Sequence, residues 1–205
     1  MIDLYTANSS NGQRVAIMLE ECGLPYRARK LDLAAGEQRE PWFLAINPAG
    51  TIPAIVDHDA PGGAPLPLAQ SGAILLYLAM KTGRFFPLDP ALRARAFAWL
   101  MQALTDTAAA STTIFLLQNY APEKSAANVG WFEDRVVRFL RQADGRLADR
   151  EHLAGDVSIA DFALYPLCAV RRPLIDRAGD LANLTRWMAA MAARPGVQRG
   201  MAAAA

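Results

Sequence analysis

The stretch TIPAIVD at residues 51–57 decides how the first part of the chain folds. A proline directly precedes a short apolar run, which is typical of a strand that begins at its first residue or at a sheet edge. The segment QSG at residues 70–72 follows a Gly- and Pro-rich connection and opens an apolar helical pattern. A proline turn beside a helix N-terminus suits a small peptide ligand, because free backbone N–H groups at that end can hold a carboxylate.

Outward from this stretch, the first 80 residues alternate between strand and helix patterns. Their order is β-α-β-α-β-β-α, and the strand-helix-strand start predicts a parallel pair with a right-handed crossover. The result is an α/β, thioredoxin-like sheet with helices on both faces. The predicted strands cover residues 2–5, 26–33, 54–56 and 66–68, and the helical segments lie around residues 15–22, 37–44 and 71–82.

Strand signals vanish after residue 83, so the second part of the chain is predicted to be all-α. The predicted domains are residues 1–82 and 91–205, joined by a Pro-containing linker at residues 83–90. The pattern SIAD at residues 158–161 is a capping box that opens a buried helix. The other long helices are expected at residues 91–120, 128–147 and 181–193, with a frayed Ala-rich tail at residues 201–205.

Composition excludes several classes of protein. Hydrophobic residues make up 53% of the chain and the net charge is +1, which argues against disorder and against a dedicated nucleic-acid binder. The two cysteines, Cys22 and Cys168, are far apart, and only two histidines are present, so no metal site is expected. No signal peptide or membrane span is visible, and the expectation is a cytoplasmic protein.

The loop TANSSNG at residues 6–12 lies between the first strand and the first helix, where open α/β sheets place ligands. Ser9 and Asn11 add a hydroxyl and an amide donor to the helix N-terminus, and such donors can stabilise a thiolate. Two simpler interpretations stay open. Ser10 or Asn11 can cap the first helix without further function, and Ser71 can be a plain N-cap of the third.

Five stretches together resemble the cytosolic glutathione transferases over nearly the whole chain, most closely the bacterial nu-class, disulfide-reducing branch. They are NGQRV at residues 11–15, LEECGLPY at 19–26, NPAGTIPAIVD at 47–57, QSGAILLYL at 70–78 and SIAD at 158–161. The resemblance implies glutathione as cosubstrate, an electrophile, hydroperoxide or disulfide as the second substrate, and a homodimer.

The resemblance also implies roles for single residues. Pro53 is expected to follow a cis bond, and Ile52 to pair its backbone with the cysteinyl part of glutathione. Ser71 is expected to hold the γ-glutamyl carboxylate, with Gln70 beside it. Ser9 and Asn11 would face the sulfur, and Gln38 and Thr51 would complete the site, Gln38 at the glycyl end.

Some residues depart from the pattern of that branch. Gln70 stands where Glu is usual, so the γ-glutamyl amine meets an acceptor without a full charge. Thr51 stands where Lys is common, and Ser9-Ser10 replaces Thr-Pro. That branch has an arginine near the start of the second long helix, used from the partner subunit. The corresponding position here falls near Trp131, and Arg135 lies one turn further on. These changes predict weaker glutathione binding and keep open a non-catalytic binding or regulatory module as the alternative function.

Further side chains near the predicted site have two interpretations each. Tyr5 either activates a thiol, as tyrosine does in some classes, or packs in the core, and both cysteines are expected to be buried. The pair Arg171-Arg172 either lines a cleft or forms a solvated helix end. Three further residues either wall an acceptor pocket or pack in the core: Phe115, Leu116 and Tyr120.

Overall fold

The structure is a computed structural model that describes residues 1–204. The chain divides into two units. The first contains Met1–Arg84 together with the C-terminal segment from Ala192 onward, and the second contains Phe85–Met191. The sequence assigns residues 91–205 to one all-α domain, whereas the structure groups the last helix with the first unit.

The first unit is built on a four-stranded sheet in the order β2-β1-β3-β4. Strands β1 and β2 run parallel, while β3 is antiparallel to both β1 and β4. This topology confirms the predicted thioredoxin-like fold and its element order. The strands are β1 (Ile2–Thr6), β2 (Tyr26–Lys30), β3 (Ala54–Asp57) and β4 (Leu66–Ala69).

Three helices connect or follow these strands. Helix α1 (Ser10–Cys22) links the parallel pair, α2 (Pro41–Leu44) follows a 3₁₀ turn at Glu37–Arg39, and α3 (Ser71–Thr82) follows β4. Helix α3 ends at Gly83, which takes a left-handed φ of 67°. Helix α1 begins after a short loop that follows β1, and α3 begins just after β4, so the N-termini of both helices are available to build one site.

Helix α1 follows from a local sequence signal at each end. Ser9 caps its N-terminus, because the Ser9 Oγ accepts from the backbone N–H of Gly12 at 3.1 Å. Gly23 ends it with a φ of 68°, which glycine adopts without a Cβ clash. The predicted apolar face is confirmed at residues 15–19, which are buried, although Cys22 at its end is only half-buried.

Helix α10 (Pro195–Ala204) packs against α1 so closely that the two backbones are in contact. A Cβ on Gly200 would lie 2.5 Å from the Cα of Ile17, so the approach requires glycine at this position. An ion pair of 2.7 Å between Arg194 and Glu21 joins the same two segments. The C-terminal helix is therefore part of the scaffold that holds α1 against the sheet.

The predicted frayed tail is wrong for residues 201–204. They continue α10, and Ala204 is fully buried. Alanine favours helix, and packing against α1 provides the contacts that an isolated tail lacks. Ala205, the last residue of that prediction, lies outside the described residues.

The second unit is all-α, as predicted. Its first helical stretch covers the predicted range 91–120, but residues Gln102–Thr107 form π-helical turns inside it. Helix α8 has no counterpart in the sequence prediction. The elements are α4 (Pro90–Met101), the π segment, α5 (Ala108–Asn119), α6 (Ala126–Arg146), α7 (Ile159–Val170), α8 (Arg172–Ala178) and α9 (Ala182–Ala192). None of the helices within residues 1–204 is both long enough and apolar enough to span a bilayer.

The predicted capping box at the start of α7 is confirmed. The Ser158 Oγ accepts from the backbone N–H of Ala160, and the Asp161 carboxylate accepts from the backbone N–H of Ser158 at 2.9 Å. Asp161 is fully buried and also accepts from the Trp187 Nε1–H at 3.0 Å. These bonds satisfy the carboxylate in the core of the second unit, which makes the motif structural.

Candidate active site

A cavity of 230 Å³ lies at the N-terminal ends of helices α1 and α3. It brings together six residues that the sequence predicts for one site, although they come from three separate segments. No residue among these six carries a formal charge. The lining residues are Asn11, Thr51, Ile52, Pro53, Gln70 and Ser71.

Ser9 and Asn11 occupy different positions at the start of α1. Ser9 is the N-cap, which corrects the alternative that Ser10 or Asn11 caps the helix. Its Oγ uses a lone pair to accept from Gly12, so the hydroxyl hydrogen remains available to donate. Asn11 is exposed and lines the cavity, whereas Ser9 is half-buried and is not among the lining residues.

The conformation of this loop depends on Gly12. A Cβ at this position would lie 2.1 Å from the Thr6 Oγ1 and 2.8 Å from the backbone oxygen of Ala7. Thr6 is fully buried at the end of β1, so the strand end leaves no space for a side chain. The glycine therefore lets α1 begin in contact with the end of β1.

Asn47 holds the second segment of the cavity. It is buried, and its Nδ2 donates to the Thr51 backbone oxygen at 2.6 Å and to the Thr51 Oγ1 at 3.2 Å. The bond between Ile52 and Pro53 is cis, as the resemblance implies. Within residues 1–204, neither the backbone N–H nor the C=O of Ile52 has a hydrogen-bond partner, so both are free for a ligand.

The third segment places Gln70 and Ser71 at the start of α3. Gln70 has a φ of 70°, an uncommon conformation for a residue other than glycine, and its side chain makes no capping bond. The open alternative that Ser71 is a plain N-cap is wrong, because Ser71 is the first helical residue. Its Oγ accepts instead from the Arg14 Nη1 at 3.2 Å.

The sequence reasoning missed Arg14, a buried residue that bonds to Ser71 at the cavity. Its side chain is 1% exposed, and burial lowers the pKa of the guanidinium to about 10. Within the described chain, its Nε and Nη2 have no hydrogen-bond partner. A signal was present, since Arg14 shares the buried face of α1 with Ile17 and Met18 at i+3 and i+4, where a charge is unusual.

Gln38 does not line the cavity. It lies in the 3₁₀ turn, where its Nε2 donates to the Leu33 backbone oxygen at 3.4 Å and its Oε1 is buried without a partner in residues 1–204. Its backbone oxygen lies close to Gly50, 3.2 Å from where a Cβ would stand. Gln38 therefore lies next to Gly50, which directly precedes the lining residues Thr51 to Pro53. Its role at the glycyl end of glutathione stays a prediction.

Tyr5 packs rather than pointing to the cavity. Its ring contacts those of Trp42 and Phe43 at centroid distances of 5.9 Å, and it is not among the lining residues. Burial, together with the charge of Asp3, raises the pKa of its phenol. The core-packing interpretation is therefore confirmed.

Neither cysteine lies at the cavity. Cys168 is fully buried, and burial raises the pKa of its thiol, as it does for Cys22. The Cys22 Sγ lies 3.5 Å from the Thr82 Oγ1 at the end of α3, the opposite end from Ser71. Groups of three or more metal-ligating side chains were not found within residues 1–204.

The side chains predicted for an acceptor pocket belong to the second unit. Arg171 is half-buried and donates through Nε to the Ser111 Oγ at 2.7 Å, so it is not a solvated helix end, whereas Arg172 is exposed. The core-packing alternative is wrong for three further residues, whose side chains are about half exposed or more: Phe115, Leu116 and Tyr120.

The fold and the cavity define a class of protein. A thioredoxin-like sheet carries a small cavity with a free backbone segment, an uncharged lining and two helix N-termini, and an all-α unit follows. Comparison with known proteins identifies the family within this class. The chain matches the family model "Glutathione S-transferase, N-terminal domain" over residues 8–81 and "Glutathione S-transferase, C-terminal domain" over residues 104–195.

The relatives agree with this match. The disulfide-bond oxidoreductase YfcG of Escherichia coli is 40% identical over 168 residues, which cover 81% of this chain and 78% of YfcG. A glutathione transferase from Burkholderia graminis, solved with two glutathione molecules per subunit, is 37% identical with a TM-score of 0.88, covering 98% of this chain and 87% of that one. A transferase from Pseudomonas putida, solved with glutathione disulfide, is 33% identical with a TM-score of 0.89, covering 98% and 90%. The chain belongs to the glutathione S-transferase family, as the sequence predicts.

Proposed function

We propose that this protein is a glutathione transferase that holds glutathione in the 230 Å³ cavity and uses the glutathione thiolate as nucleophile. One observation carries the proposal. Three segments that are far apart in sequence line one cavity, and together they offer a free peptide backbone at Ile52 and a helix N-terminus at Ser71. These are the groups that a tripeptide with a terminal carboxylate requires.

Each end of the ligand has its own contacts in this proposal. The cysteinyl part pairs with the backbone N–H and C=O of Ile52. The γ-glutamyl carboxylate lies at Ser71 and the start of α3, with Gln70 accepting from the amine. Thr51 and Gln38 contact the remainder of the peptide, Gln38 at its glycyl end.

The sulfur lies beside the start of α1, where Ser9 and Asn11 donate hydrogen bonds to the thiolate. A thiol with a pKa near ~8.5 is only a few per cent ionised at neutral pH, and lowering that pKa by two units requires about 2.7 kcal/mol. A hydrogen bond to a charged group contributes about 1.5–3 kcal/mol, so two donors and the helix dipole are sufficient. The protein contributes position and electrostatic stabilisation, since both of its own thiols lie elsewhere.

Among the electrophiles, hydroperoxides and disulfides that the resemblance implies as second substrate, we favour a disulfide. The support is the name of YfcG, a disulfide-bond oxidoreductase, and the relatives solved with two glutathiones or with glutathione disulfide. The thiolate attacks one sulfur of the substrate, forms a mixed disulfide and releases the other sulfur as a thiolate. A second glutathione thiolate then attacks the mixed disulfide, which yields glutathione disulfide and the second substrate thiol.

Calorimetry with glutathione, followed by turnover assays with a chloronitrobenzene, a hydroperoxide and a small disulfide, tests the proposal. Asn11→Ala is expected to lower turnover about ten-fold or more, because it removes one donor to the thiolate. Ser71→Ala is expected mainly to weaken glutathione binding. Asn8→Ala, an exposed position in the same loop that does not line the cavity, is the matched control. Unchanged kinetics in both site variants would contradict the proposal.

A non-catalytic binding module is the second candidate. The uncharged lining of the cavity favours it, because Gln70 and Thr51 provide no formal charge to hold the ligand. In that case glutathione binds, or fails to bind, without any reaction. Measurable binding without turnover of any of the three substrates would favour the module over the enzyme.

We also propose that the protein is a cytoplasmic homodimer. Trp131 in the second unit has a side chain that is 59% exposed, and it lines a cavity of 380 Å³ with Phe132 and Arg135. Aromatic and arginine side chains of this kind are enriched at protein interfaces. Sedimentation of the wild type and of Trp131→Glu tests the dimer. The wild type is expected to sediment as a dimer, and the variant is expected to dissociate into monomers at protein concentrations at which the wild type stays dimeric.

A further inference from the structure

Arg14 is a buried cation with an incomplete set of partners. It is 1% exposed, its Nη1 donates to the Ser71 Oγ at 3.2 Å, and its Nε and Nη2 have no partner among residues 1–204. Its pKa, which burial lowers to about 10, still leaves it charged at neutral pH. A buried charge that bonds only to a neutral hydroxyl is costly, so this position is stabilised when an anion binds close to it.

Ser71 connects this charge to the cavity. A hydroxyl accepts through its lone pairs and donates a single hydrogen. The Ser71 Oγ accepts a hydrogen bond from Arg14, so the hydroxyl hydrogen of Ser71 is left to donate to a group in the cavity that Ser71 lines. A hydroxyl polarised by a cation is a stronger donor, and it favours an anionic acceptor over a neutral one.

The other lining residues do not offset this preference. They are uncharged, so the cavity contains no carboxylate of the protein that would repel an anion. The N–H groups at the start of α3 act in the same direction, since Gln70 leaves them without a side-chain cap. The buried guanidinium, the polarised hydroxyl and the uncapped helix end therefore all favour a negative group at Ser71.

We propose that Arg14 is a positioning residue that acts through Ser71 to make this cavity select a ligand end with a free carboxylate. The inference rests on the proposed function, in which the ligand is glutathione and the selected group is the α-carboxylate of its γ-glutamyl part. Arg14 does not touch the ligand, because its unpaired nitrogens are buried. It orients the Ser71 hydroxyl and supplies the charge that the lining residues lack.

The test compares two ligands by calorimetry: glutathione, and the glutathione analogue in which the γ-glutamyl α-carboxylate is a carboxamide. The proteins are the wild type, Arg14→Met, Arg14→Lys and Ser71→Ala. Arg27→Met, which removes an exposed positive charge from β2, is the control. Thermal unfolding of each protein reports whether it is folded.

The wild type is expected to prefer the carboxylate about ten- to a hundred-fold, which corresponds to one hydrogen bond to a charged group. Arg14→Met and Ser71→Ala are expected to lose most of this preference while binding the amide nearly as the wild type does. Arg14→Lys keeps a charge without the planar fork, so part of the preference remains. Arg27→Met should leave it unchanged.

Three results would overturn the inference: no preference in the wild type, a preference that persists in Arg14→Met, or an equal loss for both ligands, which indicates a purely structural role. If Arg14→Met does not fold, Arg14→Lys and Ser71→Ala decide, because a full preference in both contradicts the coupling. If the wild type binds neither ligand, the proposed function fails as well. If it binds both equally, the role of Arg14 and the placement of the carboxylate at Ser71 fail, whereas binding of glutathione in the cavity stands.

Discussion

Two helix N-termini border the same cavity, and they are completed in different ways. Helix α1 is capped by its own Ser9, whose side chain accepts from Gly12. Helix α3 begins after Gln70, which has a left-handed φ and offers no capping bond, and the Ser71 hydroxyl bonds to a buried arginine. The first end is satisfied by the protein, whereas the second leaves its N–H groups for a ligand. In the proposed function, the α1 end lies beside the reacting sulfur and the α3 end binds the γ-glutamyl carboxylate.

The largest expected effect comes from disrupting the α1 end with Gly12→Ala. The added Cβ would meet the Thr6 Oγ1 and the Ala7 backbone oxygen, so the loop must move. We expect a loss of about 1–3 kcal/mol of unfolding free energy, as for overpacking in a well-packed region, together with loss of turnover. Urea denaturation measures the first quantity.

The control for this variant is Gly130→Ala in helix α6, where an added Cβ meets nothing within 4 Å. This substitution is expected to stabilise the protein by up to about 1 kcal/mol, because alanine favours helix. Equal stability of the two variants would show that the start of α1 tolerates a shift away from β1.

Ser9→Ala has the next largest effect, because the side chain has two roles in the proposed site. It removes the N-cap, which costs about 1 kcal/mol of stability, and the hydroxyl donor, which should lower turnover about ten-fold. Ser125→Ala is the matched control, since Ser125 caps α6 by accepting from Asn128 in the same way. Both variants should lose similar stability, and only Ser9→Ala should lose turnover. An equal loss of turnover would reduce Ser9 to a cap.

A smaller effect is expected at the α3 end from Gln70→Glu. The carboxylate adds a charged acceptor for the γ-glutamyl amine, so glutathione should bind about three- to ten-fold more tightly. Glutathione acetylated on that amine carries no positive charge there and should show no gain. Calorimetry with both ligands separates the effect. Tighter binding of both ligands would show that the new carboxylate contacts another part of the ligand than its amine.

The smallest effect is expected from Cys22→Ala, which tests whether the thiol of Cys22 takes part in the reaction. Cys22 lies at the far end of α1, beside Thr82, and does not line the cavity. Turnover with each substrate should stay within about two-fold of the wild type, since burial already disfavours the reactive thiolate. A fall of ten-fold or more would contradict a mechanism in which glutathione alone is the nucleophile.

The sequence-based predictions succeeded where the signal is local. Hydrophobic spacing predicted the strands and helices of the first unit. The capping box at Ser158 to Asp161 also formed as its spacing indicates. The family resemblance named the six residues that line the cavity, and it also named Ser9 and Gln38, which do not line it. The helical spacing and the capping box depend on contacts within a few residues, so a single stretch of sequence contains all the groups involved.

The predictions failed where a distant contact decides the outcome. A plain N-cap was one interpretation left open for Ser71, but its hydroxyl bonds to Arg14, which is 57 residues away in the chain. The C-terminal residues were expected to fray, but α10 packs on α1 through Gly200. The residues that decide each outcome, Arg14 and helix α1, lie far away in the chain. The local pattern therefore indicates only the common local structures, an N-cap and a frayed tail.

In the sequence, periodicity and the positions of glycine and proline predicted the strands and helices of the first unit, because these signals act over a few bonds, and the resemblance implied the family and the three short segments of the candidate site. The tertiary structure alone decided that Arg14 lies buried behind Ser71 and that the start of α3 stays uncapped. The physical reason is that the effect of a charge depends on its depth from water and on its partners, and these are fixed only when remote parts of the chain pack together.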